Sequence, residues 1–380
     1  MTFLARERKS LERVLPGFDA KLQEHSLMEL EKPDGTAIRL FRGTRGAGML
    51  APLQCAGLGV SPLMAVQVQR AIGSRAPSLA IASTMHHFSI ATLLQYSLYE
   101  AQGLMMLGLV ASQGYLVASG FAEGRSNASI LEASVRAEWT GTSYRLKGSK
   151  KPCSLSRSMD LLSAGVTVVR GNMPPARGVL VLFAQTPGLV RRPFWQSPIL
   201  AAAESDELVL DGIEVAPDAI ITFDNSEQVP HPIELGGLCW FTLLVSASYL
   251  GIASALVERV LQSNKGGDYE RALIAGELEA AMSALEGVAA RIAAEPADYE
   301  LLSHAQLVRY ATQDAIQRAT AMAVELLGGL AFITSEEVGY LFAASRALAF
   351  HPPSRASSVP ALAGWLSEPL PLEDAANVAA

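Results

Sequence analysis

The side chains of this chain best suited to proton chemistry are histidines, and the most constrained of them stands in "FHPPSR", Phe350 to Arg355. An Ala- and Leu-rich run, "SEEVGYLFAASRALAF", leads into it. Proline cannot continue a helix and pushes the residue before it out of the helical region, so Pro352 and Pro353 fix His351 at a helix exit. Imidazole has an ordinary pKa of about 6.5, suited to moving protons near neutral pH. Spacing alone leaves two readings open: a helix stop, or a stop that also carries an acid or base. His86 and His87 are adjacent, so on a helix they point about 100° apart and do not share a metal.

Other chemistries lack their residues. There is no GxSxG, no P-loop, no HExxH and no Asp/Glu/His cluster at ligand spacing, so no metal site is expected. "GTRGAG", Gly43 to Gly48, is not a GxGxxG. Cys55, Cys153 and Cys239 lie far apart without a CxxC and read as reduced thiols of a cytoplasmic protein. Hard chemistry here requires a bound organic cofactor.

The elements that must position these residues fall into three stretches. Residues 1–112 read as an N-terminal helical domain. In "SPLMAVQVQRAIG", Ser61 is the N-cap, Pro62 the first helical residue and Gly73 the stop. Residues 113–222 change character: "TSYRLKGSKK", "LLSAGVTVVRG", "RGVLVLFAQ", "GLVRRPFW" and "DELVLDGIEVAP" are short β-like runs between turn signals. That spacing predicts an antiparallel barrel or sandwich. Residues 223–380 read as a C-terminal helical bundle. There Leu307, Ala311, Ala315, Ala319 and Ala323 share a face, Gly328-Gly329 closes the helix, and Thr334 with Glu337 forms a capping box.

Composition bounds the partners. The chain has 380 residues, 50% apolar and 18% charged, with net charge −7. An acidic chain without a basic arm argues against nucleic acid. Leu235 to Val257 carries no charge and is long enough to span a membrane. It also holds Thr242, Ser246, Ser248, Tyr249 and Ser254, and it is the single such segment the sequence suggests. It reads as a helix buried on all sides, with no membrane partner. "MTFLARERKSLERV" has no signal-like apolar region, so export is not expected.

Five phrases in order resemble the acyl-CoA dehydrogenase superfamily of FAD flavoproteins over about residues 45 to 360. "AGLGVSPLMAVQVQRAIGSRAPSLAIASTMHHF" is similar to its Gly-Leu-Gly stretch and following helices. "ASGFAEGRSNAS" resembles its flavin loop, and "YRLKGSKKPCSLSRSMDLL" its paired strands before an Ala-Asp. "DELVLDGIEVAPDAI" is similar to its F-x-x-V-x-V-P strand, and "AVELLGGLAF" to its Gln-x-x-Gly-Gly turn. The resemblance implies a mostly α fold with a central β domain: an N-terminal helical domain, a middle β-barrel and a C-terminal four-helix bundle. It implies a homodimer or homotetramer and FAD between barrel and bundle. By residue, it implies flavin contacts at Ala122, Ser126, Cys153 and Ser154. Gly328 and Gly329 fall near the adenine half, Glu325 stands in place of the usual Gln, and Ser354 falls where a Thr approaches the flavin.

Departures from the family pattern shape the expected activity. Its catalytic glutamate aligns with Pro352 and its alternative position with Phe241, so neither site offers a carboxylate. A base must first be within reach of its proton. His351 aligns beside the lost glutamate, and the helix of His86 and His87 lines the substrate side in the family. Those three histidines are the expected catalytic candidates. The expected function is an FAD-dependent oxidoreductase acting on an acyl thioester, CoA or carrier-protein bound, with oxygen chemistry at the flavin. Alternatives are an α,β-dehydrogenase with a histidine base, a monooxygenase of a free aromatic, or an inactive thioester-binding scaffold.

Overall fold

The structure, a computed structural model, describes residues 2–125, 133–223 and 231–367. Its N-terminal helices are α1 (Ala5–Val14), α2 (Phe18–Gln23), α3 (Leu27–Leu30), α4 (Thr36–Arg42), α5 (Pro62–Arg75), α6 (Pro77–Tyr96) and α7 (Ala101–Gln113). After the strands come α8 (Pro232–Ser263), α9 (Asp268–Ala294), α10 (Tyr299–Thr334), α11 (Glu336–Ser345) and α12 (Arg355–Ser367).

Helix α8 is the axis of the molecule. His231 and Glu234 form a reciprocal cap at its start, and Pro232 occupies the first turn, where a missing N–H costs nothing. The uncharged stretch is buried because α5, α6, α9, α10 and α11 all pack on it. Helix α10 is also long and apolar enough to cross a membrane by length and composition, so among the described residues there are two such helices where the sequence suggested one. Its window is mostly unburied within the chain.

Gly73 does not stop α5, which continues to Arg75. The glycine serves a close crossing instead. A Cβ at Gly73 would overlap the carbonyl oxygen of Ser248 on α8, and one at Gly251 would overlap that of Arg70 on α5. Gly328 likewise kinks α10 rather than ending it: its φ of 85° is open to glycine, and the helix resumes to Thr334. The N-cap of α11 is Ser335, whose backbone is extended, while the Thr334 hydroxyl donates back to Leu330 O at 2.9 Å.

The strands are β1 (Val117–Gly120), β2 (Arg136–Trp139), β3 (Tyr144–Lys147), β4 (Ser149–Cys153), β5 (Leu161–Val169), β6 (Ala176–Phe183), β7 (Val190–Arg192), β8 (Asp206–Val209), β9 (Glu214–Val215) and β10 (Ile220–Thr222). One sheet runs β10-β6-β5-β2-β3-β9 with β1 also on β5, and a smaller one runs β4-β8-β7. The arrangement is not purely antiparallel. Both β1 and β2 pair with β5 in parallel, which the intervening chain is long enough to permit. The hairpin β5–β6 is antiparallel, Leu161 facing Phe183 and Val168 facing Ala176. A continuous apolar core joins the sheet to helices before and after it.

Candidate active site

A cavity of about 170 Å³ opens where the β unit, α6, α8 and the segment after α11 meet. Its β wall consists of Ser119, Phe121 and Ala122 at the end of β1, Pro152 and Ser154 around β4, and Trp195. Met85 and Phe88 of α6 and Phe241 and Tyr249 of α8 face them. Phe350, His351 and Pro352 close a third side. The lining is mostly apolar, and its ionisable groups among the described residues are Tyr249 and His351.

The end of β4 is irregular, with a register shift against β8 between Lys150 and Cys153, and around it Pro152 and Ser154 line the cavity while Cys153 is buried in the core. Burial pushes the Cys153 thiol up to about 12, and its Sγ donates to Lys150 O at 3.4 Å. Cys153 is a packing residue, not a cavity residue. The Ser154 hydroxyl is held 3.0 Å from that of Ser205.

His351 leaves a short 3-10 turn, Arg346–Phe350, with extended backbone, as the prolines demand. Its Nε2 lies 2.8 Å from the Tyr249 hydroxyl. Phe241 and Tyr249 flank the ring, with centroids 6.3 and 5.4 Å away. From behind, the buried Arg309 guanidinium donates to three carbonyls of this segment: Leu348 at 3.2 Å, His351 at 2.5 Å and Pro352 at 3.3 Å. Part of His351 stays open to the cavity, yet the ring is enclosed enough that burial, aided by Arg309, pushes its pKa down to about 3. Burial raises the Tyr249 hydroxyl far above its ordinary value. The pair is therefore uncharged at neutral pH and can both donate and accept a hydrogen bond.

The other two histidines are not in the cavity. His86 spends both ring nitrogens on backbone, Nε2 lying 2.8 Å from Ala47 O and Nδ1 accepting from Val117 N–H at 3.0 Å. It ties α6 to β1. His87 is fully buried with no hydrogen-bond partner among the described residues, edge-on to Phe41. Burial holds His86 at about 4 and His87 well below its ordinary value. Adjacent residues on one buried helix cannot both face a cavity, and here Met85 and Phe88 take those directions.

The remaining sequence candidates separate. Ala122 and Ser154 line the cavity; Ser126 lies outside the described residues. Glu325 and Gly329 are exposed and Gly328 sits at the α10 kink, all away from the lining. Ser354 is spent locally: its hydroxyl lies 3.0 Å from that of Ser357 and accepts from the Ser357 N–H. Among the described residues no group of His, Cys, Asp or Glu is placed to hold a metal. Sequence reasoning missed Tyr249, Trp195 and Arg309. A tyrosine two residues before Gly251 in an uncharged helix was the available signal for the first; nothing local marked the others.

The cavity suits a flavin ring. A planar aromatic system needs flat apolar walls and a few hydrogen-bonding groups, and Trp195, Phe121, Ala122 and the Ser154 hydroxyl offer these on one side. Helical domain, curled sheet and bundle around such a cavity define an acyl-CoA dehydrogenase-like fold. No family model matches the chain. It is 39% identical over 375 residues to isobutylamine N-hydroxylase of Streptomyces viridifaciens, covering 97% of this chain and 98% of that protein. Two solved structures share the fold at lower identity. KijD3 in complex with FMN and a dTDP-amino-keto sugar has a TM-score of 0.82 at 18% identity, covering 95% of this chain and 94% of its own. FMN-bound TdsC from Paenibacillus sp. A11-2 has 0.80 at 16%, covering 94% and 97%. The chain belongs to the acyl-CoA dehydrogenase-like flavoprotein superfamily, and it is an oxidoreductase.

Proposed function

We propose that this protein is a flavin-dependent N-hydroxylase of a small apolar primary amine, with O₂ as co-substrate. The observation that carries this reading is the full-length relationship to isobutylamine N-hydroxylase. The reaction balances as R–NH₂ + O₂ + 2e⁻ + 2H⁺ → R–NHOH + H₂O, the electrons coming from an external reductant. The flavin, when bound, supplies the two-electron chemistry with O₂.

The chain's own residues do the rest. Met85, Phe88 and Phe241 exclude water and pack a short alkyl group. The neutral Tyr249–His351 pair faces the same space and is suited to taking the proton that the nitrogen sheds. An acyl thioester fits less well. Its α-proton needs a strong base, and Pro352 and Phe241 occupy both places where the resemblance would put a carboxylate.

The test is mass spectrometry of products from the protein supplied with reduced flavin, O₂ and a panel of alkylamines and CoA esters. A hydroxylamine heavier than its amine by one oxygen is expected. A desaturated CoA ester without O₂ consumption would overturn the reading. Chromatography of flavin released by heat separates FAD, expected from the resemblance, from the FMN of KijD3 and TdsC. The proposed assembly is a homodimer or homotetramer in the cytoplasm, read by light scattering.

A further inference from the structure

Three charged features surround the cavity, and they do not cancel. Beneath Ala122, the neighbouring Glu123 is buried and paired with Lys150, with the Ser134 hydroxyl on the same carboxylate. In an adjoining small cavity that shares Phe88 and Phe121, Glu234 is paired with Arg177 at 3.1 Å. Each of these two carboxylates is thus matched by a cation, and Glu204, buried next to the Ser205 that holds Ser154, accepts from the Ser158 hydroxyl at 2.9 Å. Arg309 is different. It is 1% exposed, and among the described residues its partners are three carbonyl oxygens and the Tyr310 ring, not a carboxylate. Beyond it, Arg355 is paired with Asp314. The wall formed by neutral Tyr249 and neutral His351 therefore has one buried positive charge behind it with no carboxylate partner among the described residues.

An alkylammonium ion entering this site would lose its water, meet no carboxylate among the described lining residues and feel the same Arg309 charge that acts on His351. Both effects favour the uncharged form of a buried amine. Resting on the amine reading above, we propose that the site takes its substrate as the free base, and that Arg309 is the positioning residue that sets this preference while fixing the His351 backbone. This suits the reaction, because only the free base has a nitrogen lone pair to bond to oxygen. The cost is concentration. With an alkylammonium pKa of about 10.4, roughly one molecule in a thousand is free base near pH 7.4. The proton of the remainder goes to the buffer on binding.

Calorimetric titration of the full-length, flavin-loaded protein with isobutylamine at pH 7.5, in two buffers of different ionisation enthalpy, reads that proton directly. Release of about one proton per amine bound is expected; isobutanol, a neutral isostere, is expected to bind with none. In steady state, KM for total amine should fall about tenfold per pH unit from 7 to 9. Amine binding without proton release, or a KM flat with pH, overturns the proposal. Arg309→Gln should bind part of the amine as ammonium and release fewer protons, and Arg309→Lys should restore full release. Unchanged release in a folded Arg309→Gln removes the role given to Arg309. If Arg309→Gln does not fold, the lysine variant and the wild-type pH slope carry the test. Failure of the amine reading itself looks different: no binding heat and no hydroxylamine from any amine at any pH.

Discussion

The Tyr249 hydroxyl lies 2.8 Å from His351 Nε2, joining the middle of the buried helix α8 to a loop 102 residues later. Neither residue is charged there at neutral pH. The pair contributes a hydrogen bond between two neutral groups at the wall of a mostly apolar cavity.

If the two act as a unit, their loss is not additive. His351→Ala is expected to lower kcat for hydroxylamine formation about 100-fold, at the low end of the range for positioned proton-transfer groups, and Tyr249→Phe less, about 10-fold. The double variant should be no worse than His351→Ala. Full activity in His351→Ala removes the role.

Acid should weaken the fold through its buried histidines. His86 titrates at about 4 and His87 well lower, against about 6.5 when unfolded. The unfolded chain therefore binds more protons once pH drops below 6.5, and stability falls from there towards the folded values. The slope is up to about 1.4 kcal/mol per pH unit for each group. Urea midpoints at pH 7.5 and 5 measure it. His87→Leu, which removes a ring without polar partners, should shrink the loss.

Glu31 behaves in the opposite sense. Its carboxylate accepts from the Ser78 N–H at 3.0 Å, from the Ser78 hydroxyl and from Tyr340, and burial raises its pKa. A raised value favours the fold at low pH and loses that contribution as pH rises through it. Glu31→Gln should therefore match or exceed wild-type stability at pH 8. Glu31→Ala should cost about 2 kcal/mol by stranding its donors. Denaturant titration separates the two.

The crossing of α5 and α8 admits no side chain at Gly73. Gly73→Ala is expected to cost about 3 kcal/mol or to lower yield, because the obstacle is the Ser248 carbonyl and not a mobile side chain. A thermal melt within 1–2 °C of wild type, by the usual scale of stability shifts, would contradict this.

Ala122 leaves room on the β wall that a flavin ring can use. Ala122→Leu should weaken flavin binding at least about tenfold through overlap, with the melting temperature unchanged. Fluorescence titration with FAD and FMN reads it.

Much of this was legible in the sequence. Pro352 and Pro353 set the backbone of His351 by local sterics alone, and Ser61-Pro62 started α5 for the same kind of reason. The helix–strand–helix order followed from periodicity and turn residues. The uncharged run around Tyr249 announced a buried helix because it carries no charge, and its few hydroxyls can be satisfied inside the protein. Where a local signal had two physical uses, sequence could not choose. Gly73 looked like a stop and is a contact; Gly328 looked like an end and is a kink. Cys153 stood between two cavity residues, and only the packed, irregular end of β4 turned it inward.

The chain by itself determined that a histidine is held at a helix exit where no carboxylate is available. Only the tertiary structure decided what that histidine meets. Tyr249 and Arg309 lie 102 and 42 residues away from it along the chain. Packing of α8 and α10 brings one to its ring and the other to its carbonyl. The same packing removes His86 and His87 from the cavity, because buried helix faces are assigned by their neighbours and not by their own composition.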